Sequence, residues 1–197
     1  MPKPITAYER ERIKKDILKH THNLIVERKG LKAVTVEDIV RSAGMGKSSF
    51  YSVFKSKEVC FFEVLENAVH DGLNKAELLR QQNLTSEEMV IKFFREVYLA
   101  EDSLSNYVSL TDLEALFRKL PPEYSEKEEM LSGGAIMEYM MGEYGFDSDQ
   151  AEAFNLLLDC IDLVATCRSY SKDAIAKTLD YLLDLMVAFF RDNSNKN

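Results

Sequence analysis

The chain has 197 residues, of which 46% are hydrophobic and 29% are charged, and its formal net charge is −8. This composition is typical of a folded globular protein and excludes a disordered chain. The longest run without Asp, Glu, Lys or Arg covers residues 103–111, far short of the roughly 18 apolar residues that a membrane span needs. Charged residues stand where a signal peptide would have its apolar core, so we expect a cytoplasmic protein without membrane contact.

The net charge hides an asymmetry along the chain. Residues 1–60 carry 13 Lys and Arg against 7 Asp and Glu, whereas residues 61–197 carry 12 against 26. A small basic module on a large acidic body is expected when only one end of a protein meets a polyanion.

Helical signals divide the basic part into three short segments. An amphipathic pattern predicts a first helix that ends near Gly30. Thr35, with Asp38 three residues later, predicts the start of a second helix. Gly44 supplies the positive φ of a tight turn, and a third helix follows Gly46, which offers no side-chain cap.

Two short helices joined by a turn that contains glycine form a helix-turn-helix, whose second helix enters the major groove of DNA. The segment AGMGKSSFYSVFKSKE, residues 43–58, supplies the hydroxyls and lysines that such a helix uses on phosphates and base edges. Lys57 in addition begins a fourth helix, whose first amides favour a phosphate. The predicted DNA contacts are Thr35, Lys47, Ser48, Ser49, Tyr51, Ser52, Lys55 and Lys57.

This segment resembles the DNA-binding region of the tetracycline-repressor (TetR) family of bacterial transcription regulators. That region commonly reads T-x-x-x-I-A-x-x-A-G-V-S-x-G-T-L-Y-x-Y-F-x-S-K-E, and the resemblance covers about residues 10–60. Among the matching positions are Thr35, Ile39, Ala43, Gly44, Tyr51, Phe54, Ser56, Lys57 and Glu58. The resemblance implies an all-helical body behind the DNA-binding domain and a dimer interface formed by the last two helices.

Beyond residue 60 helix-capping signals recur and no strand pattern is found. Helices are predicted near 57–80, 86–100, 104–119, 125–144, 148–169 and 172–191. We therefore predict an all-α fold of about nine helices. A three-helix DNA-binding domain is expected at 1–56, and a helical effector-binding and dimerisation domain at 57–197.

The last two predicted helices are unusually rich in apolar residues. Because one small domain has little interior for so many, we expect two such helices from each of two subunits to form a four-helix bundle. The alternative is that both helices simply belong to the internal core. The residues concerned are Phe154, Leu157, Leu158, Ile161, Val164, Ala165, Ile175, Leu179, Leu182, Leu183, Met186, Phe189 and Phe190.

A small-molecule effector of unknown identity is expected to bind among aromatic and methionine side chains of the body. A polar stripe at i, i+4 and i+7 on helix 148–169 faces either a cavity or water, and its carboxylates favour a cationic or amphipathic ligand. The predicted ligand contacts are Phe94, Tyr98, Tyr107, Phe117, Met137, Met141, Asn155, Asp159 and Asp162, with Phe93 in the wider aromatic set.

Motifs of catalysis are missing from the sequence, which has no Gly-rich phosphate loop, nucleophile elbow, HExxH or paired cysteine ligands. We therefore expect no enzymatic activity, cofactor or metal. The predicted function is a dimeric, ligand-responsive transcription regulator, interpreted as a repressor that a small molecule releases from a double-stranded DNA operator. The alternative is a helical protein-interaction module that keeps the DNA-binding shape without binding an operator.

Overall fold

A computed structural model of the chain describes residues 6–124, 127, 131, 142 and 145–194. All regular structure in these residues is helical, which confirms the predicted all-α fold. The helix expected near 125–144 lies largely outside the described residues, as do Met137 and Met141. The α-helices with assigned bounds are α1 (Ala7–Arg28), α2 (Val36–Ser42), α3 (Lys47–Val53), α4 (Lys57–Arg80), α5 (Ser86–Phe93), α6 (Leu110–Phe117), α7 (Ser148–Ala165) and α8 (Lys172–Ser194).

Local capping signals set most of the helix starts. A reciprocal capping box, in which the cap side chain and the third helical residue bond each other's backbone amides, begins five of the helices. Its N-cap residues are Thr6, Thr35, Thr85, Ser109 and Asp147. The hydroxyl of Ser56 caps α4 at the amide of Val59, whereas Gly46 gives α3 no side-chain cap.

The first hydrophobic core joins α1, α2 and α3 to the N-terminal half of α4. Ile17 and Ile25 of α1, Phe50 of α3 and Cys60 of α4 are completely buried in it. The same core takes in Leu104 and residues of α6. The N-terminal helices are therefore packed directly against α4, across the predicted domain boundary at residue 56.

The second core is formed by α5, α7 and α8, and it corrects one prediction. Apolar side chains that we expected to need a second subunit for burial are buried within this chain, among them Leu158, Ile161 and Met186. Leu179 and Leu182 also pack against this core. The inward faces of the last two helices are thus core of the single subunit.

Other apolar side chains of the last two helices face outward. On α7, Leu156 and Leu163 are 60% and 68% exposed, and the exposed Cys160 lies between them at helical spacing. On α8, Tyr181 and Leu185 are 59% and 55% exposed. We call these five residues the outer apolar residues. None of the helices within the described part of the chain is long and apolar enough to span a membrane.

The end of α5 departs from α-helical geometry. Phe94–Tyr98 forms a π-helical turn, in which the amide of Leu99 donates to the carbonyl of Phe94 at 2.8 Å. A π-helical turn holds an extra residue relative to an α-helix, so the side chains that follow it are rotated about the helix axis. A 3₁₀ turn at Leu104–Asn106 then leads to α6.

Candidate DNA interface and ligand cavity

The turn between α2 and α3 depends on Gly44. This residue has φ +64°, and an added Cβ would meet nothing within 4 Å, so glycine is required by backbone conformation and not by space. The amide of Met45 donates to the carbonyl of Val40 at 2.8 Å and closes the turn. The buried ring of Phe50 fixes α3 in the first core. The opposite face of α3 is left to solvent.

Three of the predicted DNA contacts are exposed on this outward face: Lys47, Ser48 and Tyr51. The ring of Tyr51 is 57% exposed and stands edge-on to Phe50, with ring centroids 5.3 Å apart. Lys47 forms an ion pair with Glu37 of α2. That hydrogen bond raises the pKa of Lys47 and lowers the pKa of Glu37.

Two of the other predicted contacts, Thr35 and Ser52, use their hydroxyls on partners within the chain. The hydroxyl of Ser52 donates to the carbonyl of Ser49 at 2.7 Å. The hydroxyl of Thr35 donates to Asp38, whose carboxylate also accepts from Arg28 at 2.5 Å. Arg28, and after it the Thr35 hydroxyl, hold the pKa of Asp38 well below its usual range. Thr35 is therefore tied into the start of α2.

Lys55 and Lys57 flank the start of α4, and both have partners within the chain. Lys55 pairs with Glu123 at 3.0 Å, which connects the edge of the DNA-binding helices to the body. Lys57 donates to the carbonyl of Val34 at 3.1 Å, and its ammonium lies 5.2 Å from the ring centroid of Phe61. An ammonium has three donors, so Lys57 keeps donors for a phosphate.

Partners of these lysines were not predicted, because nothing local in the sequence pairs Lys47 with Glu37 or Lys55 with Glu123. Arg41 was also missed as a surface group of the helix-turn-helix, although its side chain is 75% exposed. Its charge and its place on α2 were the signals that could have identified it.

A cavity of about 740 Å³ lies between the DNA-binding helices and the body. Its walls come mainly from α1, α4, the π-helical turn, the segment 102–105 and Asp162 of α7, with Phe93 of α5 and Leu113 of α6. Among the lining residues are Leu18 and His22 of α1 and Val64, Leu65 and Ala68 of α4. One cavity wall is thus built from the same two helices that support the helix-turn-helix.

Two of the predicted ligand contacts line this cavity, Tyr98 and Asp162. Phe94 is instead buried in the second core, whereas Phe93 and Val97 reach the lining. The remaining predicted contacts that the structure describes are not part of the lining: Tyr107, Phe117, Asn155 and Asp159. The hydroxyl of Tyr107 donates a hydrogen bond to the carbonyl of Glu101 at 2.6 Å.

Tyr98 and Asp162 form a polar pair, with the phenol donating to carboxylate Oδ1 at 2.9 Å. Burial raises the pKa of Asp162 to about 7, against the lowering effect of the Tyr98 hydrogen bond and with a smaller contribution from the charge of Asp159. Burial, followed by the charge of Asp162, raises the pKa of Tyr98 well above its usual value. Burial also raises the pKa of Asp159.

The contribution of α1 to the cavity was missed by sequence reasoning. Leu18 and His22 lie on a helix that the sequence assigns to DNA binding, and only the folded arrangement of the chain makes them line the same cavity as Tyr98 and Asp162. No local pattern in the sequence of α1 indicates that it lines a cavity.

A glycine turn, a buried α2–α3 packing face and an exposed basic and hydroxyl face on α3 define a helix-turn-helix DNA-binding protein. Residues 17–64 match the family model described as bacterial regulatory proteins, tetR family. This confirms the resemblance seen in the sequence: the N-terminal part of the chain is a DNA-binding domain of the TetR type, which supports a DNA-binding transcriptional regulator. No curated protein matches the chain.

Proposed function

We propose that this regulator acts as a homodimer that represses transcription from a DNA operator and releases the operator when a small molecule enters the cavity. The observation that carries the proposal is the position of the cavity. Its walls include α1 and α4, which also form the first core with α2 and α3. An occupant therefore contacts the support of the recognition helix directly.

Coupling between cavity and DNA follows from the course of α4. The helix starts at Lys57, directly after the recognition helix, and passes the cavity at Val64, Leu65 and Ala68. A ligand that binds better to one tilt of α4 against α1 shifts the population toward that tilt. Because two recognition helices must match two half-sites together, a differential affinity of a few kcal/mol is enough to release an operator.

Dimerisation is supported by the outer apolar residues. Two neighbouring helices usually leave less apolar surface in water than α7 and α8 do. The exposed side chains are Leu156 and Leu163 on α7 and Tyr181 and Leu185 on α8. A second copy that packs the same two helices against them would remove this surface from water and form a four-helix bundle.

The proposed DNA contacts are divided between bases and phosphates. Lys47, Ser48 and Tyr51 project from α3 toward the groove, and Lys55 and Lys57 stand beside it at the start of α4. Lys47 is the base-reading candidate, since lysine donates to the acceptors of guanine. Thr35, Ser49 and Ser52 are proposed to act mainly by holding the helix ends and backbone in place.

Selection of bound duplexes from a random pool tests the function. We expect a two-fold symmetric site whose half-sites lie near one helical turn apart or a multiple of it, with affinity that falls steeply as salt rises. A protein that binds other proteins through this shape would instead show no salt-dependent affinity for any duplex, which would contradict the proposal.

Lys47→Ala should relax the preference for one base pair of the selected site by roughly 1 to 3 kcal/mol, because a direct hydrogen bond to a base edge is lost. Glu37→Ala is the matched variant, since it removes the other half of the same ion pair but leaves the ammonium free for DNA. Fluorescence anisotropy on the selected duplex and on single-base variants measures both. Equal loss of specificity in the two variants would show that the ion pair, and not Lys47 itself, matters.

A further inference from the structure

The carboxylate of Asp162 is the least compensated charged group of the cavity. Its partner is the Tyr98 hydroxyl, and in the described part of the chain no Lys, Arg or His forms an ion pair with it. Residues 128–144, which include the cavity-lining Leu131, contain no Lys, Arg or His at all.

The surface next to Asp162 is apolar and aromatic. The rings of Phe93 and Tyr98 have centroids 6.2 Å apart, and both line the cavity. Val97 and Leu65 continue this wall. Aromatic faces attract cations, and aliphatic walls favour an apolar body, so the wall and the carboxylate select the same kind of molecule.

Charged residues at the solvent-exposed part of the lining do not select a sign. Lys14 is paired with Glu63 at 2.6 Å. The other exposed charged residues are of both signs: Glu11, Lys15, Lys19, Asp71, Lys75 and Asp102. Water and salt weaken the field of exposed charges, and they weaken that of a charge in a partly buried apolar site much less. The sign of the ligand is therefore set by Asp162.

We propose that the effector is an organic monocation with an apolar body, whose ammonium group pairs with Asp162 and lies against the rings of Phe93 and Tyr98. The inference rests on the proposed function, in which the cavity holds an effector. A single positive charge is expected because Asp159, the other carboxylate of the stripe, is not part of the lining. Binding is favoured because the ligand supplies a counter-charge to Asp162, whose partner among the described residues is the neutral Tyr98 hydroxyl.

Three probes with one carbon skeleton test this: phenylbutylamine, phenylbutanol and phenylbutyrate. Titration calorimetry of each into the full chain at pH 8 compares cation, neutral molecule and anion in the same cavity. The amine should bind at least about tenfold more tightly than the alcohol, and the carboxylate most weakly. Equal affinity of amine and alcohol would overturn the inference.

Asp162→Asn should remove the preference for the amine, and Asp71→Asn, at an exposed position of the lining, should keep it. Preference for the amine that survives in Asp162→Asn would also overturn the inference. Tyr98→Phe retains the carboxylate and should still prefer the amine. If Asp162→Asn fails to fold, the comparison of amine and alcohol on the wild type, together with Tyr98→Phe, decides.

Operator release, measured by anisotropy of a labelled duplex, separates this inference from the proposed function. Amine binding that leaves the operator complex intact would support the cation site and contradict ligand-driven release. Release by the alcohol or the carboxylate, without tighter binding of the amine, would support ligand-driven release and contradict the cation site.

Discussion

Leu163→Glu is expected to turn the dimer into monomers and to lower the affinity for a two-half-site duplex by roughly 100-fold or more. Leu163 is 68% exposed on the single chain, so the substitution leaves both internal cores intact. In a dimer built on the outer apolar residues, the new carboxylate would be buried without a partner, and such burial is strongly unfavourable. Affinity for DNA then falls because two linked half-site contacts become one.

Leu78→Glu is the matched control. Leu78 is 60% exposed on α4, and the substitution changes the charge by the same amount at a position away from α7 and α8. Light scattering and anisotropy should show this variant to be dimeric and active in DNA binding. A monomeric wild type, or a dimeric Leu163→Glu, would refute the proposed interface. Substitutions at Leu179 or Leu182 would disturb the second core and could not separate assembly from folding.

Asp162→Asn is expected to stabilise the protein relative to the wild type as pH rises from about 4 to about 7. The pKa of Asp162 is raised from 3.8 to about 7, so between these values the folded protein keeps a proton that the unfolded chain has lost. The wild type therefore loses stability as pH increases through this window, by up to about 1.4 kcal/mol per pH unit. Asparagine does not titrate and still accepts the Tyr98 hydrogen bond.

Urea unfolding at pH 5 and pH 8 measures this effect as the difference between wild type and variant. The difference cancels the groups that titrate alike in both proteins. The phenol of Tyr98, whose pKa is raised by burial and by the charge of Asp162, stays protonated at both pH values. Asp71→Asn controls for the loss of one exposed negative charge. A wild-type-to-variant difference that stays constant with pH would show that Asp162 is well solvated.

Local structure of the DNA-binding part could be predicted from sequence because its signals are local. The predicted helix at 57–80 agrees with α4, whose start is fixed by the Ser56 hydroxyl. Thr35 and Asp38 form the expected capping box, and Gly44 adopts the expected positive φ. Each of these features is decided within four residues of chain.

The cavity could be predicted only in part, because it is closed by residues far apart in sequence. Tyr98 and Asp162 were both named, but their hydrogen bond joins positions 64 residues apart. Tyr107 and Phe117 were expected at the ligand, yet neither lines the cavity. Aromatic residues in a sequence are suited to a core or to a pocket alike. Only the packing of α5, α6 and α7 decides whether a given aromatic side chain is buried in a core or lines the cavity.

The same limit applies to the last two helices. The apolar residues of each helix cover more than one of its faces. The sequence does not tell which of them point into the core and which point outward. Met186 is buried and Leu185 is 55% exposed, although they are neighbours of similar hydrophobicity. The rotation of each helix about its axis, fixed by its packing in the second core, makes the distinction.

The π-helical turn at Phe94–Tyr98 amounts to one inserted residue in a helix that would otherwise be regular. Deletion of one residue there would restore α-helical bonding and turn the following side chains by about 100° around the axis. The Tyr98 hydroxyl would then point away from Asp162, and Leu99, which packs against the second core, would be displaced with it. The gain or loss of a single codon in this turn would thus create or remove the Tyr98–Asp162 hydrogen bond while the fold stays helical. Such a change offers a simple genetic route by which one helical scaffold comes to respond to different ligands.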